Sequence, residues 1–238
     1  MNIKGKIAVI TGASSGLGAA IARALVAKEC RVYGLARNTE KLEQIKNEIG
    51  ENFIPVVIDI ANKDLLDTWI QKTFHEDHLP DILINNAGAG YFTKIDALTF
   101  DRWHEMINTN LNGTFYCTSL LVPFMKKNKN TCHILNIGSI LGKTTRAEGA
   151  AYSATKYAIQ GFSESLFKEL RSYKIKVTCV NPGSIDTHFF QESGIHAHSN
   201  MLQPYDIAIV ITQLIETPDN LLVDEITLRP LQAQAPMQ

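Results

Sequence analysis

Tyr152 and Lys156 stand four residues apart in the segment AYSATKYAIQ, residues 151–160. On a helix, positions i and i+4 lie one above the other on the same face. A phenol and an ammonium would therefore share one patch of surface. That is either ordinary amphipathic packing or an acid held beside the cation that tunes it. A free phenol titrates near pH 10, and a neighbouring cation lowers that value by favouring the phenolate. A second chemical signal is TGASSGLG, residues 11–18. Gly12 permits a sharp turn, and Gly16 and Gly18 let backbone approach a ligand and a strand, with Ser14, Ser15 and Leu17 set between them. A helix opening there would offer unpaired N–H groups and a positive dipole end to a pyrophosphate. Its spacing is GxxxGxG, not the GxGxxG of the usual dinucleotide turn, so a purely structural strand-to-helix turn stays open at this point.

Several rival readings fail on context. Residues 12–16 fit G-x-S-x-G, a hydrolase nucleophile elbow around Ser14, but on a first strand no upstream oxyanion loop exists. GSILGKT (138–144) is one residue short of a phosphate-binding loop and has no good helix start after it. Ser153-x-x-Lys156 lacks the companion motifs of acyl-enzyme hydrolases. His196 and His198 have no third ligand nearby, so no metal site is expected. Cys30, Cys117, Cys132 and Cys179 are scattered, without a CxxC pair, and read as buried reduced thiols.

These groups need elements to carry them. KIAVIT (6–11), RVYGLA (31–36), FIPVVID (53–59), DILINN (81–86), HILNIG (133–138) and KVTCVN (176–181) read as strands, with DEITLRP (224–230) a weaker seventh. Helical spacing recurs between them, as in GAAIARALVAKE (18–29) and NTEKLEQIKNEIG (38–50), the latter with Asn38 or Thr39 as N-cap and Gly50 as stop. Near-continuous hydrophobic strands imply a sheet covered on both faces, and βα alternation implies parallel strands. The expectation is one doubly wound α/β domain over residues 1–238, with only the tail 231–238 fraying. Ligands bind such sheets beyond the carboxyl ends of the strands, so Thr11-Gly12, Arg37-Asn38, Asp59-Ile60, Asn86 to Gly88, Ser139 and Pro182-Gly183 should meet on one rim.

The bulk numbers agree. With 23 basic and 24 acidic residues the net charge is −1, and 45% of residues are hydrophobic. No clustered basic face suggests a nucleic-acid partner, and no apolar run approaches the roughly 20 residues of a membrane span. The N-terminal apolar run is too short for a signal peptide, and the chain reads as cytoplasmic.

The ordered set of motifs resembles the short-chain dehydrogenase/reductase family, across nearly the whole chain. It comprises TGxxxGxG at 11–18, Asp59, NNAG at 85–88, NTNLNGTF with Asn110, IGS ending at Ser139, Tyr152-x-x-x-Lys156 and NPGSIDT at 181–187. The resemblance implies a Rossmann-like fold of about seven parallel strands with helices on both faces. It gives Tyr152 the role of general acid–base and Lys156 the roles of lowering its pKa and holding the nicotinamide ribose. Ser139 would hydrogen-bond the substrate oxygen, and Asn110 would hold a water linking Lys156 to solvent. It places Asp59 and Ile60 beside the adenine, and Asn86, Ala87 and Gly88 along ribose and diphosphate. Pro182 and Gly183 would lead to Ile185 and Thr187 at the carboxamide, while Asn85 ties neighbouring strands. Members of the family often pair as homodimers or homotetramers through the active-site helix, where Ala154, Ala158, Gly161 and Ser165 are small.

An acid about 20 residues past the glycine turn would mark NAD, whereas an arginine accommodates a 2′-phosphate. Here Ala36 holds that position and Arg37, followed by Asn38, comes next. The expected cofactor is NADP(H), with NAD(H) kept open because Ser15 stands where many NADP-preferring relatives carry a second basic residue. The substrate pocket is expected from Ser139, Ile140, Leu141 and a loop at about 184–203 whose Phe189 and Phe190 would form an apolar lid. The expected reaction is reduction of an aldehyde, ketone or 3-oxo compound. Oxidation of a small 3-hydroxy acid or other alcohol is the alternative, and a non-catalytic dinucleotide-binding protein a remote one.

Overall fold

The computed structural model describes residues 1–187 and 200–232, so Phe189, Phe190, His196 and His198 lie outside the described residues. Seven strands form one parallel sheet: β1 (Ile7–Thr11), β2 (Arg31–Ala36), β3 (Phe53–Val57), β4 (Ile82–Asn85), β5 (Cys132–Ile137), β6 (Ile175–Pro182) and β7 (Glu225–Leu228). Their order is β3-β2-β1-β4-β5-β6-β7. Every residue of β4, β5 and β6 is buried, which is why these segments read as continuous apolar runs rather than alternating ones. The third strand ends at Val57, two residues short of the expected Asp59, because Ile58 and Asp59 leave the ladder to turn over the rim.

Helices cover both faces. On one side α1 (Gly16–Ala27), α2 (Thr39–Ile49) and α7 (Pro204–Glu216) enclose a core that includes Ile10, Ile21, Leu25, Leu42 and Ile211. On the other, α3 (Lys63–Thr73), α5 (Thr114–Met125) and α6 (Ala150–Leu170) enclose Leu66, Ile70, Leu121, Ile134 and Leu170. The short α4 (Phe100–Met106) runs into α5 through the wide-turned segment Ile107–Gly113. The α2 boundaries match their sequence signals: Asn38 accepts from Lys41 N at 2.8 Å, and Gly50 ends the helix at φ +89°.

The chain order reverses between β1 and β4, so the crevice above their carboxyl ends is where a doubly wound sheet binds its ligand. Asn85 closes β4 and donates to Asn136 Oδ1 on β5 at 2.8 Å and to Thr118 Oγ1 at 3.0 Å. It ties strands and helix together directly below the rim.

Candidate active site

The glycine turn stands on two contacts that any side chain would destroy. Gly12 has φ +67°, and a Cβ there would lie 2.9 Å from Ala87 Cα. A Cβ on Gly18 would lie 2.2 Å from Gly12 O, so Gly18 seats α1 on the turn and faces no ligand. Thr11 fixes the opposite side: its Oγ1 accepts from the backbone N–H of both Asn86 and Ala87 at 3.0 Å. Asn86 Nδ2 returns to Thr11 O at 2.9 Å. The turn and the NNAG segment are therefore one rigid unit.

A cleft runs along this rim in two joined hollows that share Asn86 and Gly88. The first, of about 290 Å³, is lined by Gly12, Ser14, Ser15, Arg37, Asn38, Asp59, Ile60 and Ala87. The second, of about 140 Å³, is lined by Gly16, Leu17, Ser139, Tyr152, Lys156, Pro182, Ile185 and Thr187. The structure thus brings together residues from seven separate segments of the chain. Gly183 stays behind the wall, its N–H donating to Leu228 O at 2.7 Å to join β6 to β7. Arg37 is exposed and forms no ion pair among the described residues. Ser15 holds the N-cap position of α1 without its side chain capping the helix, whereas the Asn38 side chain is spent as the α2 cap.

At the other end, Tyr152 is 7% exposed and Lys156 5%, both carried inward by α6. Lys156 Nζ donates to Ile137 O at 2.8 Å and lies 5.6 Å from the Tyr152 ring centre. Ser139, two residues past β5, has its N–H on Asn181 Oδ1 at 3.2 Å, and its Oγ accepts from Leu141 N at 3.1 Å. The Ser139 hydroxyl is also hydrogen-bonded to the Tyr152 phenol. The expectation that Lys156 governs the phenol is corrected here. Burial dominates and pushes Tyr152 up, with the Ser139 hydrogen bond opposing it. Burial likewise pulls Lys156 down to about 8, so the ammonium that was to stabilise a phenolate is itself weakened.

Asn110 stands in the wide-turned segment and not in a regular helix, with its amide drawn toward the NNAG loop. Its Oδ1 accepts from Ala89 N at 2.8 Å, and its Nδ2 donates to Ala89 O at 2.9 Å and to Thr155 Oγ1 at 3.0 Å. A Cβ on Gly88 would come within 3.4 Å of Asn110 Oδ1 and 3.9 Å of Lys156 Nζ. Wide turns of this kind recur at functional sites. On the substrate side, Leu141 packs in a cluster with Tyr152, Met106, Tyr91, Phe92 and Trp103, with the Phe92 ring centre 5.2 Å from that of Tyr152. Ile140 shares the turn but lies outside both hollows and that cluster.

A family model described as short chain dehydrogenase matches residues 6–197. The chain belongs to this family. The short-chain dehydrogenase is 36% identical over 230 residues to an uncharacterised oxidoreductase of Staphylococcus aureus strain MW2, covering 95% of this chain and 97% of that one. Among solved structures it resembles a closed form of serine dehydrogenase complexed with NADP+, with TM-score 0.88, 28% identity and 98% of each chain covered. It also resembles a 3-ketoacyl-(acyl-carrier-protein) reductase of Brucella melitensis complexed with NADH, with TM-score 0.89, 25% identity, and 98% of this chain and all of that one covered. It is an oxidoreductase of this family.

The cleft fits a nicotinamide dinucleotide on its own geometry. It is glycine-floored at Gly12, Gly16 and Gly88 and opens on the N-terminus of α1, whose unpaired N–H groups could receive a diphosphate. Reading this short-chain dehydrogenase from sequence missed three contributors. Ile137 supplies a backbone carbonyl, which carries no side-chain signal. Thr109 lines the first hollow from the wide turn. Phe92, in the aromatic pair that follows NNAG, walls Tyr152; that pair was the available cue.

Proposed function

We propose that this short-chain dehydrogenase is an NADPH-dependent reductase that converts an aldehyde, ketone or 3-oxo compound to an alcohol, with Tyr152 as proton donor. The observation that carries this reading is the geometry: a buried phenol, hydrogen-bonded to Ser139, in a hollow that Lys156 also lines. A protonated phenol is the form a reduction needs.

The dinucleotide supplies the hydride. Tyr152 gives its proton to the carbonyl oxygen as negative charge develops there, a transfer worth about 10²–10⁴-fold. Because Ser139 Oγ accepts from Leu141 N, its single hydrogen is left to donate to the phenol oxygen and, once substrate is bound, to the substrate oxygen instead. Lys156 holds the ribose and, near its midpoint of about 8, returns a proton to the tyrosine. With its amide committed to Ala89 and Thr155, Asn110 contributes through its backbone in the wide turn, where a water would link Lys156 to solvent. Leu141, with Ile140 in the same turn, and the segment bearing Phe189 and Phe190 would enclose the substrate.

The two solved neighbours divide between NADP+ and NADH, so the choice rests on this chain's own residues. Arg37 is exposed and forms no ion pair among the described residues, in the same hollow as a Ser15 hydroxyl the helix does not use, and Ala36 offers no carboxylate to a 2′-OH. We further assign the chain to the cytoplasm, as a homodimer or homotetramer paired through α5 and α6. There Phe115 and Tyr157 are about half exposed, and a Cβ on Gly161 would meet nothing within 4 Å; a gel-filtration peak at monomer mass would count against the pairing. The deciding experiment is a side-by-side fluorescence titration with NADPH and NADH. Tighter NADPH binding by tenfold or more is expected. Preference for NADH overturns the Arg37 assignment and favours oxidation of an alcohol or 3-hydroxy acid, and binding of neither overturns the enzyme reading.

A further inference from the structure

Between Ser139 and Tyr152 the chain runs through KTTRAEG, residues 143–149, and its arginine is held in place by three separate contacts. Gly149 has φ −107°, which any residue tolerates, yet a Cβ there would lie 2.9 Å from Arg146 Cγ. The position is glycine because the arginine stem occupies the space. Arg146 Nε donates to Ala147 O at 3.2 Å, and the guanidinium carbon lies 5.2 Å from the Phe92 ring centre. Phe92 in turn is 5.2 Å from the Tyr152 ring. The backbone is tied as well: Thr93 N donates to Glu148 O at 2.9 Å, joining this loop to the segment that carries Phe92.

None of these contacts consumes the charge. Lys143, the other cation of the loop, is spent on Glu225. Arg146 forms no ion pair among the described residues, and its terminal nitrogens have no acceptor there. Arg146 is exposed, and an arginine laid on an aromatic face keeps its planar fork available to an anion. Phe92 stands between it and Tyr152, in an apolar cluster that also holds Leu141 and Met106.

We infer that Arg146 selects carbonyl compounds bearing a carboxylate, gripping that group in a bidentate pair while the carbonyl meets Tyr152 and Ser139. This rests on the reductase reading above and names its substrate class: a short apolar or aromatic body with an anionic end. A carboxylate suits the two parallel N–H donors of the fork.

The test is reduction of two acid–ester pairs by the NADPH-loaded enzyme: 3-oxobutanoate against its methyl ester, and 4-carboxybenzaldehyde against its methyl ester. The wild type should prefer the acids, and Arg146→Met should lower the acid-to-ester ratio of kcat/KM by about 10–100-fold, chiefly through KM of the acid. Arg146→Lys should recover only part of it, since an ammonium cannot form the bidentate pair. Raised ionic strength should lower the ratio in the wild type but not in Arg146→Met, a readout that needs only the wild type should the variant fold poorly. An unchanged ratio in Arg146→Met, or a salt-insensitive wild-type ratio, overturns the inference. Wild-type turnover of the esters with no preference for the acids overturns it while leaving the reductase reading intact. Turnover of no member of either pair removes both.

Discussion

Replacing Lys156 with methionine should abolish turnover and yet leave the folded protein as stable as before, or more so, at neutral pH. Burial pulls the Lys156 midpoint from the ordinary 10.5 to about 8. Converted at about 1.36 kcal/mol per pH unit, that is roughly 3 kcal/mol of stability forgone below pH 8. The direction follows from where the proton sits. Between about pH 8 and 10.5 the unfolded chain keeps a proton that the folded chain has released, so stability rises with pH across that window. Methionine removes the penalty but strips Ile137 O of its donor at 2.8 Å, which costs about 1–3 kcal/mol. The net gain at pH 7 is therefore about 0–2 kcal/mol. The sharper quantity is the pH dependence of the difference, because other titrating groups cancel between the two proteins. Linkage with these midpoints makes the variant's relative advantage shrink by about 2 kcal/mol between pH 7 and 9.5. Urea unfolding of both proteins at the two pH values measures it. A gap that stays constant with pH would refute the claim that the lysine is held against its own charge.

Three further outcomes are expected. Tyr152→Phe should abolish carbonyl reduction while leaving the NADPH dissociation constant within about threefold; retained turnover would remove tyrosine from the mechanism. Arg37→Met should weaken NADPH binding by about 10–150-fold, the equivalent of one charge-assisted contact, with NADH within about threefold, and the wild-type preference should fall with added salt because Arg37 is exposed. Burial holds His133 down to about 3, with Lys176 and the N-terminus adding to the effect, so below about pH 6.5 the unfolded chain binds a proton the folded chain refuses and stability falls with pH. His133→Gln, which cannot titrate, should close about 2 kcal/mol on the wild type between pH 7 and 5 in urea unfolding.

The strands and the rim were legible because burial on both faces leaves a simple trace, a short β-branched run closed by glycine or a polar residue. Even the edge strand β7, the weakest signal, lies where DEITLRP placed it. What could not be read were features set by the main chain. No residue type announces the wide turn at Asn110, since it arises when Oδ1 and Nδ2 both engage Ala89 across the cleft. Spacing alone could not separate Gly16, which lines the cleft, from Gly18, which fills no cleft but lies against Gly12 O. The Tyr152–Lys156 spacing gave their adjacency, but not the net direction of the phenol's shift, which burial carries upward. Adjacency is a matter of helical period, whereas the sign of a pKa shift depends on how much water remains, which only packing decides.

Packing also shows why so short an edge strand matters to the chemistry. Ser139 N is held by Asn181 Oδ1, and Asn181 Nδ2 donates to Gln160 Oε1 at 2.9 Å. Gln160 passes the connection to Glu225 at the start of β7, and Glu225 also takes Lys143, four residues beyond Ser139. The circuit therefore leaves the serine through β6, crosses α6 one turn past Lys156, reaches β7, and returns to the loop that began at the serine. Each amide in it has a fixed donor and acceptor end, so no member can rotate without breaking a neighbour's bond. The Ser139 backbone is thereby braced from below by β6, α6 and β7, which leaves the residues between Lys143 and Gly149 free to vary in what they recognise while the proton-transfer geometry stays constant.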